Sequence, residues 1–360
     1  MPDLFLKLNY PNILKLNELV MEPIKIDGGR GEGGGQIIRS AVTLSAITGK
    51  PVEIENIRKN RKVPGLRPQH LLGVKILSKI CQAKVEGLYV NSTSLKFFPS
   101  QGLDLDLQED IGTAGSIPLI LQVLIPAVSL MRNSLKLSII GGTDVPWSPT
   151  TDYTKHVFAE ALSRIGINFT LETKRRGYYP RGGGLVETQI QPCKNVNSIS
   201  LFKRSTTSTK LLCAYSHIPK EFVEKEIHNA RDILAKNGFD CEITIKEDDA
   251  LDKGCSILVF SQDANSIAGS DGIYQKGLNG LGESVAKKFI ESNLGVDLYL
   301  SDMLVVPLSL VKETSAYRVK QITKHLETNL FVASKITGCR YGIGKLDDGF
   351  EVRISGVSDT

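Results

Sequence analysis

Aromatic, metal-binding and disulfide-forming residues are scarce in this chain. Its 360 residues include one tryptophan, five histidines and six cysteines. The cysteines lie far apart and form no C-x-x-C pair, which argues against a zinc site and for a reducing compartment. We therefore expect buried thiols in a cytoplasmic protein.

Three further absences narrow the class of protein. No apolar run approaches the roughly 18 residues of a membrane-spanning helix, so we expect no membrane association. The first residues show no signal-peptide pattern. No Walker A sequence is present, which excludes a P-loop nucleotide site. The net charge of +5 permits a polyanionic partner but does not require one.

Glycine, in contrast, is concentrated in one segment near the start of the chain. Asp27–Arg39 holds six glycines around the carboxylate of Glu32 and leads into an apolar run typical of a helix. Glycine reaches positive φ and lets a ligand approach the backbone, and a helix start attracts anions. The segment therefore indicates an anion site, with Glu32 as a metal ligand.

A cationic loop follows this segment. Arg58–Arg67 contains five cationic residues and no acid, and it leads directly into Gln69 and His70. A glycine-rich turn followed by such a loop indicates a nucleoside triphosphate site. For His70, a phosphate contact and a structural role are equally open.

Two short patterns offer weaker interpretations. Gly29-x-Gly31-x-x-Gly34 matches a dinucleotide fingerprint, but the preceding Met21–Ile26 is too polar for a buried parallel strand. Lys25–Gly28 spells K-x-D-G, the lysine nucleophile pattern of nucleotidyl-transferring ligases. A pattern of four residues often arises by chance.

The chain contains a loosely repeated unit of strand, helix, strand, helix and closing strands. This rhythm predicts an α/β fold with three βαβαββ-type units, which form a large domain from residues 23–192 and 277–360. Residues 1–22 are an N-terminal extension, and residues 193–276 are a small inserted α/β domain. Helices are predicted at Gln36–Thr48, Gln69–Cys81, Asp152–Ile165, Lys220–Lys236, Glu283–Ser292, Val296–Leu308 and His325–Ile336.

Among the histidines, His325 is the strongest functional candidate. It precedes an apolar helix in the segment Lys324–Asn329. His156, His217 and His228 lie in settings typical of packed or surface histidines.

The ordered motifs resemble the RNA 3'-terminal phosphate cyclase family over nearly the whole chain. The segments that carry the resemblance are Gly31–Ser40, Arg58-x-x-Arg61 with Pro64–Gly65 and Gln69–His70, Ala114–Ser116 with Gln122, Gly141–Asp144 with Pro146, Gly177–Gly184, Tyr299–Asp302 and His325–Asn329.

The resemblance implies both a fold and a reaction. The fold is the three repeated units with a thioredoxin-like inserted domain. The reaction is ATP-dependent conversion of an RNA 3'-phosphate to a 2',3'-cyclic phosphodiester, through covalent histidine–AMP and RNA(3')pp(5')A, with release of pyrophosphate and AMP. The implied partners are ATP, a divalent metal (Mg or Mn) and RNA with a 3'-phosphate end.

The resemblance also implies the site residues. His325 matches the nucleophile, Glu32 the metal ligand, and Tyr299 a residue that stacks on adenine. The nucleotide-binding positions are Arg39, Arg58, Arg61, Gln69, His70, Gln122, Pro146, Tyr299, Leu300, Ser301, Asp302 and Met303.

Some alternatives stay open at this point. A non-catalytic, cyclase-like branch serves ribosomal RNA processing but lacks the histidine, and enolpyruvyl transferases share the repeated unit. Trp147 is not part of the family pattern. The cluster of Arg175, Arg176 and Arg181 fits an RNA contact or a solvated turn equally well. The sequence leaves the oligomeric state undetermined.

Overall fold

A computed structural model describes residues 21–274 and 279–357, so the predicted extension at 1–22 lies almost wholly outside the described residues. The described chain contains four four-stranded sheets. Helices pack beside these sheets, and the predicted mixed α/β class is confirmed.

The first unit is built around the glycine segment and the cationic loop. Its elements are β1 (Ile24–Asp27), α1 (Gln36–Thr48), β2 (Val52–Glu55), α2 (Pro68–Ile80), β3 (Lys84–Glu86) and β4 (Leu95–Phe98). The sheet order is β1-β2-β4-β3, with one parallel pair, β1 and β2. A single parallel pair is incompatible with the doubly wound sheet of a dinucleotide-binding fold.

The second unit repeats this topology. Its elements are β5 (Leu105–Asp110), α3 (Ile117–Leu130), β6 (Leu135–Gly141), α4 (Thr151–Tyr153), a π-helical turn (Thr154–Phe158), α5 (Ala159–Ile165), β7 (Phe169–Arg175) and β8 (Gly184–Ile190). The sheet order is β5-β6-β8-β7, and again only the first two strands are parallel.

The third sheet is interrupted by the insert. After β9 (Ser200–Leu201) come β10 (Ser208–Ser216), α6 (Lys220–Lys236), β11 (Asp240–Glu247), β12 (Gly254–Asp263), β13 (Ser266–Ile273), α7 (Leu281–Glu291), α8 (Leu298–Leu308), β14 (Ser315–Val319), α9 (Lys324–Thr337), β15 (Arg340–Lys345) and β16 (Phe350–Ser355). β9 pairs in parallel with β14, and the sheet continues through β16 to β15. Strands β10 to β13 form the fourth sheet.

The packing at the insert differs from the predicted limits of 193–276. The helix α7 lies beyond residue 276, yet Leu281, Val285 and Phe289 share the core of the β10–β13 sheet. The strand β9 lies inside the predicted range but belongs to the third sheet. In the sequence, the glycines near Gly277 resemble those that open the first unit and so predict the start of the third unit there. The first strand of the third sheet is instead β9, which has only two residues. We propose that the insert runs from about residue 204 to 292.

Helices from all three units meet in the centre of the large core. α1 contacts α3 and α9, α3 contacts α2, and α9 contacts α8. This packing brings the starts of α1, α2 and α9 together, and the candidate site lies there. Within the described ranges, no helix combines the length and apolar character needed to cross a bilayer.

Candidate active site

A cavity of about 540 Å³ lies where loops of the first and second units meet the start of α9. It collects residues that are far apart in the chain. The predicted site residues that line it are Arg39, Arg58, Arg61, Gln69, His70, Pro146 and His325.

His325 lies in the first turn of α9, with about a third of its side chain exposed. Its Nε2 contacts Glu32 Oε2. Burial lowers the pKa of His325, although Glu32 acts in the opposite direction. The lowered pKa favours the neutral imidazole, which is the form that attacks as a nucleophile.

Glu32 is held between a cation and the histidine. Arg61 Nη2 donates to Glu32 Oε2 at 3.1 Å. The loop needs glycine on one side of Glu32, because Gly31 has φ +62° and a Cβ there would lie 2.5 Å from Thr328 Oγ1. The described residues contain no cluster of three or more potential His, Cys, Asp or Glu metal ligands. A single carboxylate still fits Mg²⁺, which keeps several waters and binds substrate phosphates.

The arginines form a cationic wall. Arg58 donates to the carbonyls of Val63 at 2.8 Å and Gly65 at 3.0 Å. Burial, and then repulsion from Arg67 and Arg61, lowers the pKa of Arg58. An anion in the cavity relieves this repulsion, so the wall favours a phosphate ligand.

Arg39 lies deepest in this wall. Burial lowers its pKa to about 10, so the side chain stays charged at neutral pH. One amino group donates to Gln36, whereas Nε has no hydrogen-bond partner among the described residues. A guanidinium with a buried, unpaired nitrogen is costly and favours an anionic partner.

His70 has a clear structural contact. Its Nδ1 accepts from the backbone N–H of Arg67 at 3.1 Å, at the start of α2. Burial, reinforced by Arg39, Arg58 and Arg67, lowers the pKa of His70 to about 3, so it is neutral. Its Nε2 faces the glycine segment, where a Cβ at Gly35 would lie 2.3 Å away.

A second group of predicted residues lies beside the first. Gln122, Asp302 and Met303 line a small cavity of about 20 Å³, which Arg39 shares. Gln122 Nε2 donates to Met303 Sδ at 3.4 Å. Burial raises the pKa of Asp302 to about 7, and Thr323 Oγ1 donates to its carboxylate at 2.6 Å. Arg39 thus connects the two groups.

The predicted segment 299–303 divides between surface and core. Tyr299 is 54% exposed and packs edge-on against Tyr153, with ring centroids 6.3 Å apart. Leu300 and Ser301 are fully buried, and the Ser301 hydroxyl donates to the Leu298 carbonyl. The side chains of Tyr299, Leu300 and Ser301 therefore line neither of the two cavities.

For Arg176 both predicted alternatives, an RNA contact and a solvated turn, are wrong, because the side chain is buried. Its side chain is buried and pairs with Asp144 at 3.0 Å, Asp152 at 2.8 Å and Asp248 at 2.9 Å. Arg181 is exposed but pairs with Asp252 at 2.9 Å. Asp152 lies in α4 and the other acids lie in loops distant in the chain, so the cationic run alone does not reveal these partners.

The structure adds residues to the cavity that were absent from the predicted site. They include Arg67, Ser116, Trp147 and Tyr179. Gln69 Oε1 accepts from the Ser116 N–H at 2.9 Å, which ties α2 to the start of α3. The segment Gly112–Gly115, which precedes Ser116, resembles the first glycine segment, and this similarity is the sequence pattern that indicates Ser116 as a site residue.

Comparison with known proteins agrees with this geometry. A family model described as RNA 3'-terminal phosphate cyclase matches residues 30–343. The chain belongs to the RNA 3'-terminal phosphate cyclase family. The match spans the described site from Glu32 to His325 and includes the insert.

Relatives named RNA 3'-terminal phosphate cyclase align over nearly their full length. The one from Methanococcoides burtonii is 37% identical over 339 residues, covering 92% of this chain and 99% of the relative. The one from Thermococcus kodakarensis is 40% identical over 327 residues, covering 88% and 94%. The one from Pyrobaculum aerophilum is 34% identical over 344 residues, covering 93% and 98%.

Proposed function

We propose that this family member converts an RNA 3'-phosphate to a 2',3'-cyclic phosphodiester with consumption of ATP. The contact of His325 with Glu32, at a cavity lined by arginines, is the observation that carries the proposal. This contact lies beside the arginines of the cavity, so a histidine nucleophile is next to side chains that favour binding of a triphosphate. The names of the relatives support the same reaction.

In the first step, His325 attacks the α-phosphorus of ATP. A nitrogen–phosphorus bond forms, the bond to the leaving pyrophosphate breaks, and AMP remains on the histidine. Arg39, Arg58 and Arg61 neutralise charge on the phosphates. A divalent metal, Mg or Mn, would be held by Glu32 and would supply further charge neutralisation. The family resemblance assigns Tyr299 to stacking on adenine and Gln122, Pro146, Leu300, Ser301, Asp302 and Met303 to the nucleotide site; of these, Pro146 lines the large cavity, and Gln122, Asp302 and Met303 line the small one beside it.

In the next steps, AMP moves from His325 to the RNA. An oxygen of the RNA 3'-phosphate attacks the adenylate phosphorus and releases the histidine, which gives RNA(3')pp(5')A. The neighbouring 2'-OH then attacks the RNA phosphate and expels AMP. Splitting one difficult displacement into easier ones is the gain of covalent catalysis.

The proposal predicts where the reaction stops when the last nucleophile is missing. RNA with a 3'-phosphate and a terminal 2'-deoxynucleotide should be adenylated but not cyclised, so RNA(3')pp(5')A should accumulate. Gel separation of products from α-labelled ATP measures this. Cyclisation of the 2'-deoxy end at the rate of the ribose end would contradict the mechanism.

The same assay separates the alternatives. A non-catalytic, cyclase-like protein or an enolpyruvyl transferase would transfer no label from ATP to protein or RNA. The presence of His325, Glu32 and the arginines in one cavity favours the enzyme. Cytoplasmic location stays a prediction.

A further inference from the structure

Trp147 is the most exposed large hydrophobic residue of the described chain. It is the single tryptophan, and 98% of it is exposed at the rim of the 540 Å³ cavity. Its φ of +62° lies in the left-handed region, which a bulky residue adopts only when its surroundings impose it. Exposure and strain at one residue beside a cavity indicate a role for the ring.

The loop that presents Trp147 is fixed on both sides. Ser148 Oγ contacts the hydroxyl of Ser116 at the start of α3. The Thr150 N–H donates to Asp271 at 2.6 Å, and Asp144 accepts from buried Arg176 at 3.0 Å. These contacts fix the loop around Trp147, while the indole ring itself is almost fully exposed.

A second exposed aromatic residue, Tyr179, reaches the same cavity from another loop. It is 69% exposed. The insert holds its loop, because the Tyr178 hydroxyl donates to the Ala214 carbonyl at 3.2 Å and the Arg181 N–H donates to Asp252 at 2.9 Å. Single exposed hydrophobic residues are common on protein surfaces, but two exposed rings from separate loops at one cavity indicate a binding surface.

The charge of the cavity indicates what these rings bind. Arg58, Arg61 and Arg67 line it together with Trp147 and Tyr179. Cationic side chains beside exposed aromatic rings are the means by which proteins bind single-stranded nucleic acids, since phosphates pair with the cations and bases stack on the rings. The cationic charge complements a 3'-phosphate end, with its terminal phosphate near His325.

We propose that Trp147 and Tyr179 form a platform on which the terminal bases of a single-stranded RNA 3'-phosphate end stack. This assignment rests on the proposed function for the identity of the ligand. It gives the insert a part in substrate binding, through its hold on the Tyr179 loop. Stacking tolerates any base, so the platform selects single-stranded ends with little dependence on sequence.

The single tryptophan allows a direct test that needs no catalysis. The full-length protein is titrated with a single-stranded RNA carrying a 3'-phosphate, and tryptophan fluorescence and filter binding are recorded in parallel. We expect the RNA to quench the tryptophan fluorescence saturably, at the same midpoint concentration as in the filter-binding curve. The same RNA with an abasic terminal nucleotide should bind more weakly and quench little. Equal quenching by both RNAs, or binding without quenching, would overturn the proposal.

Variants add a second arm to this test. Trp147→Ala should weaken binding of the intact RNA about tenfold, Trp147→Phe should recover most of the loss, and the abasic RNA should bind both variants equally. Tyr89→Ala is the matched control, because Tyr89 is 65% exposed and does not line this cavity. A tenfold loss for the abasic RNA as well would contradict stacking.

ATP provides the discriminating ligand, because Trp147 follows Pro146 of the proposed nucleotide pocket. Two results together would assign the ring to adenine and overturn the platform. ATP alone would quench the tryptophan fluorescence, and Trp147→Ala would need a higher ATP concentration for self-labelling. Absence of any AMP label in the unaltered protein would contradict the proposed function instead. The RNA fluorescence titration still decides on the platform in that case.

Discussion

At the residue scale, the site depends on one carboxylate shared by two basic groups. Glu32 accepts from Arg61 and contacts His325, and the left-handed Gly31 lets it approach α9. The sequence indicated Glu32 and His325 separately. Their contact depends on the packing of α1 against α9, which no local pattern encodes.

Replacing Glu32 tests its role in the chemistry. Glu32→Ala should remain folded, since the side chain is 38% exposed. It should lower the rate of AMP labelling about 100-fold, because a preorganised charge at the reacting phosphates is lost. Rates are measured over a series of Mg or Mn concentrations. Glu313→Ala, an exposed carboxylate outside both cavities, is the control. Near-normal labelling of folded Glu32→Ala with unchanged metal dependence would remove Glu32 from the mechanism.

At the element scale, the start of α9 is fixed by a side-chain cap. Thr323 Oγ1 accepts from the Leu326 N–H at 2.9 Å and donates to Asp302 at 2.6 Å. Ser40 donates to Asn329 at 2.7 Å, and Asn329 in turn donates to the Asp302 carbonyl at 2.8 Å. These bonds connect α1, α8 and α9 around the candidate nucleophile.

The cap should contribute both stability and alignment. Thr323→Ala should lower the free energy of unfolding by about 1 kcal/mol, because the Leu326 N–H loses its acceptor. It should also slow AMP labelling, since His325 lies in the same turn. Thr323→Ser keeps the hydroxyl and should restore both. Denaturant unfolding and labelling rates measure the two effects; loss of stability at an unchanged labelling rate would rule out the alignment role.

Local signals predicted most helices and fewer strands. The limits of α1 and α6 match the predicted ones, and Gly49, with φ +70°, ends α1 as its type suggests. β9 has two residues and is identified only through its pairing with β14. The grouping of α7 with the insert also depends on distant packing. Short strands and helix partners carry little local signal, because tertiary contacts decide them.

At the scale of the whole molecule, one arginine joins the second unit to the insert. Arg176 pairs with Asp144 and Asp152 of the second unit and with Asp248 of the insert. Removing it leaves the buried carboxylate of Asp144 without a cation, whereas Asp248 keeps its pair with Lys246. Arg176→Ala should therefore lower the free energy of unfolding by about 3–5 kcal/mol.

Thermal or denaturant unfolding measures this loss. Arg181→Ala is the matched control, because its pair with Asp252 is exposed on the arginine side and should contribute about 0–1 kcal/mol. An Arg176→Ala variant as stable as Arg181→Ala would show that the buried cluster does not hold the insert.

The central claim is that AMP becomes attached to His325. The most direct measurement is peptide mass spectrometry of the full-length protein after incubation with ATP and a divalent metal, with His325→Ala and Lys25→Ala in parallel. The account predicts AMP on His325 in the unaltered protein and in Lys25→Ala, and no AMP in a folded His325→Ala. AMP on Lys25, or labelling that persists in His325→Ala, would contradict it.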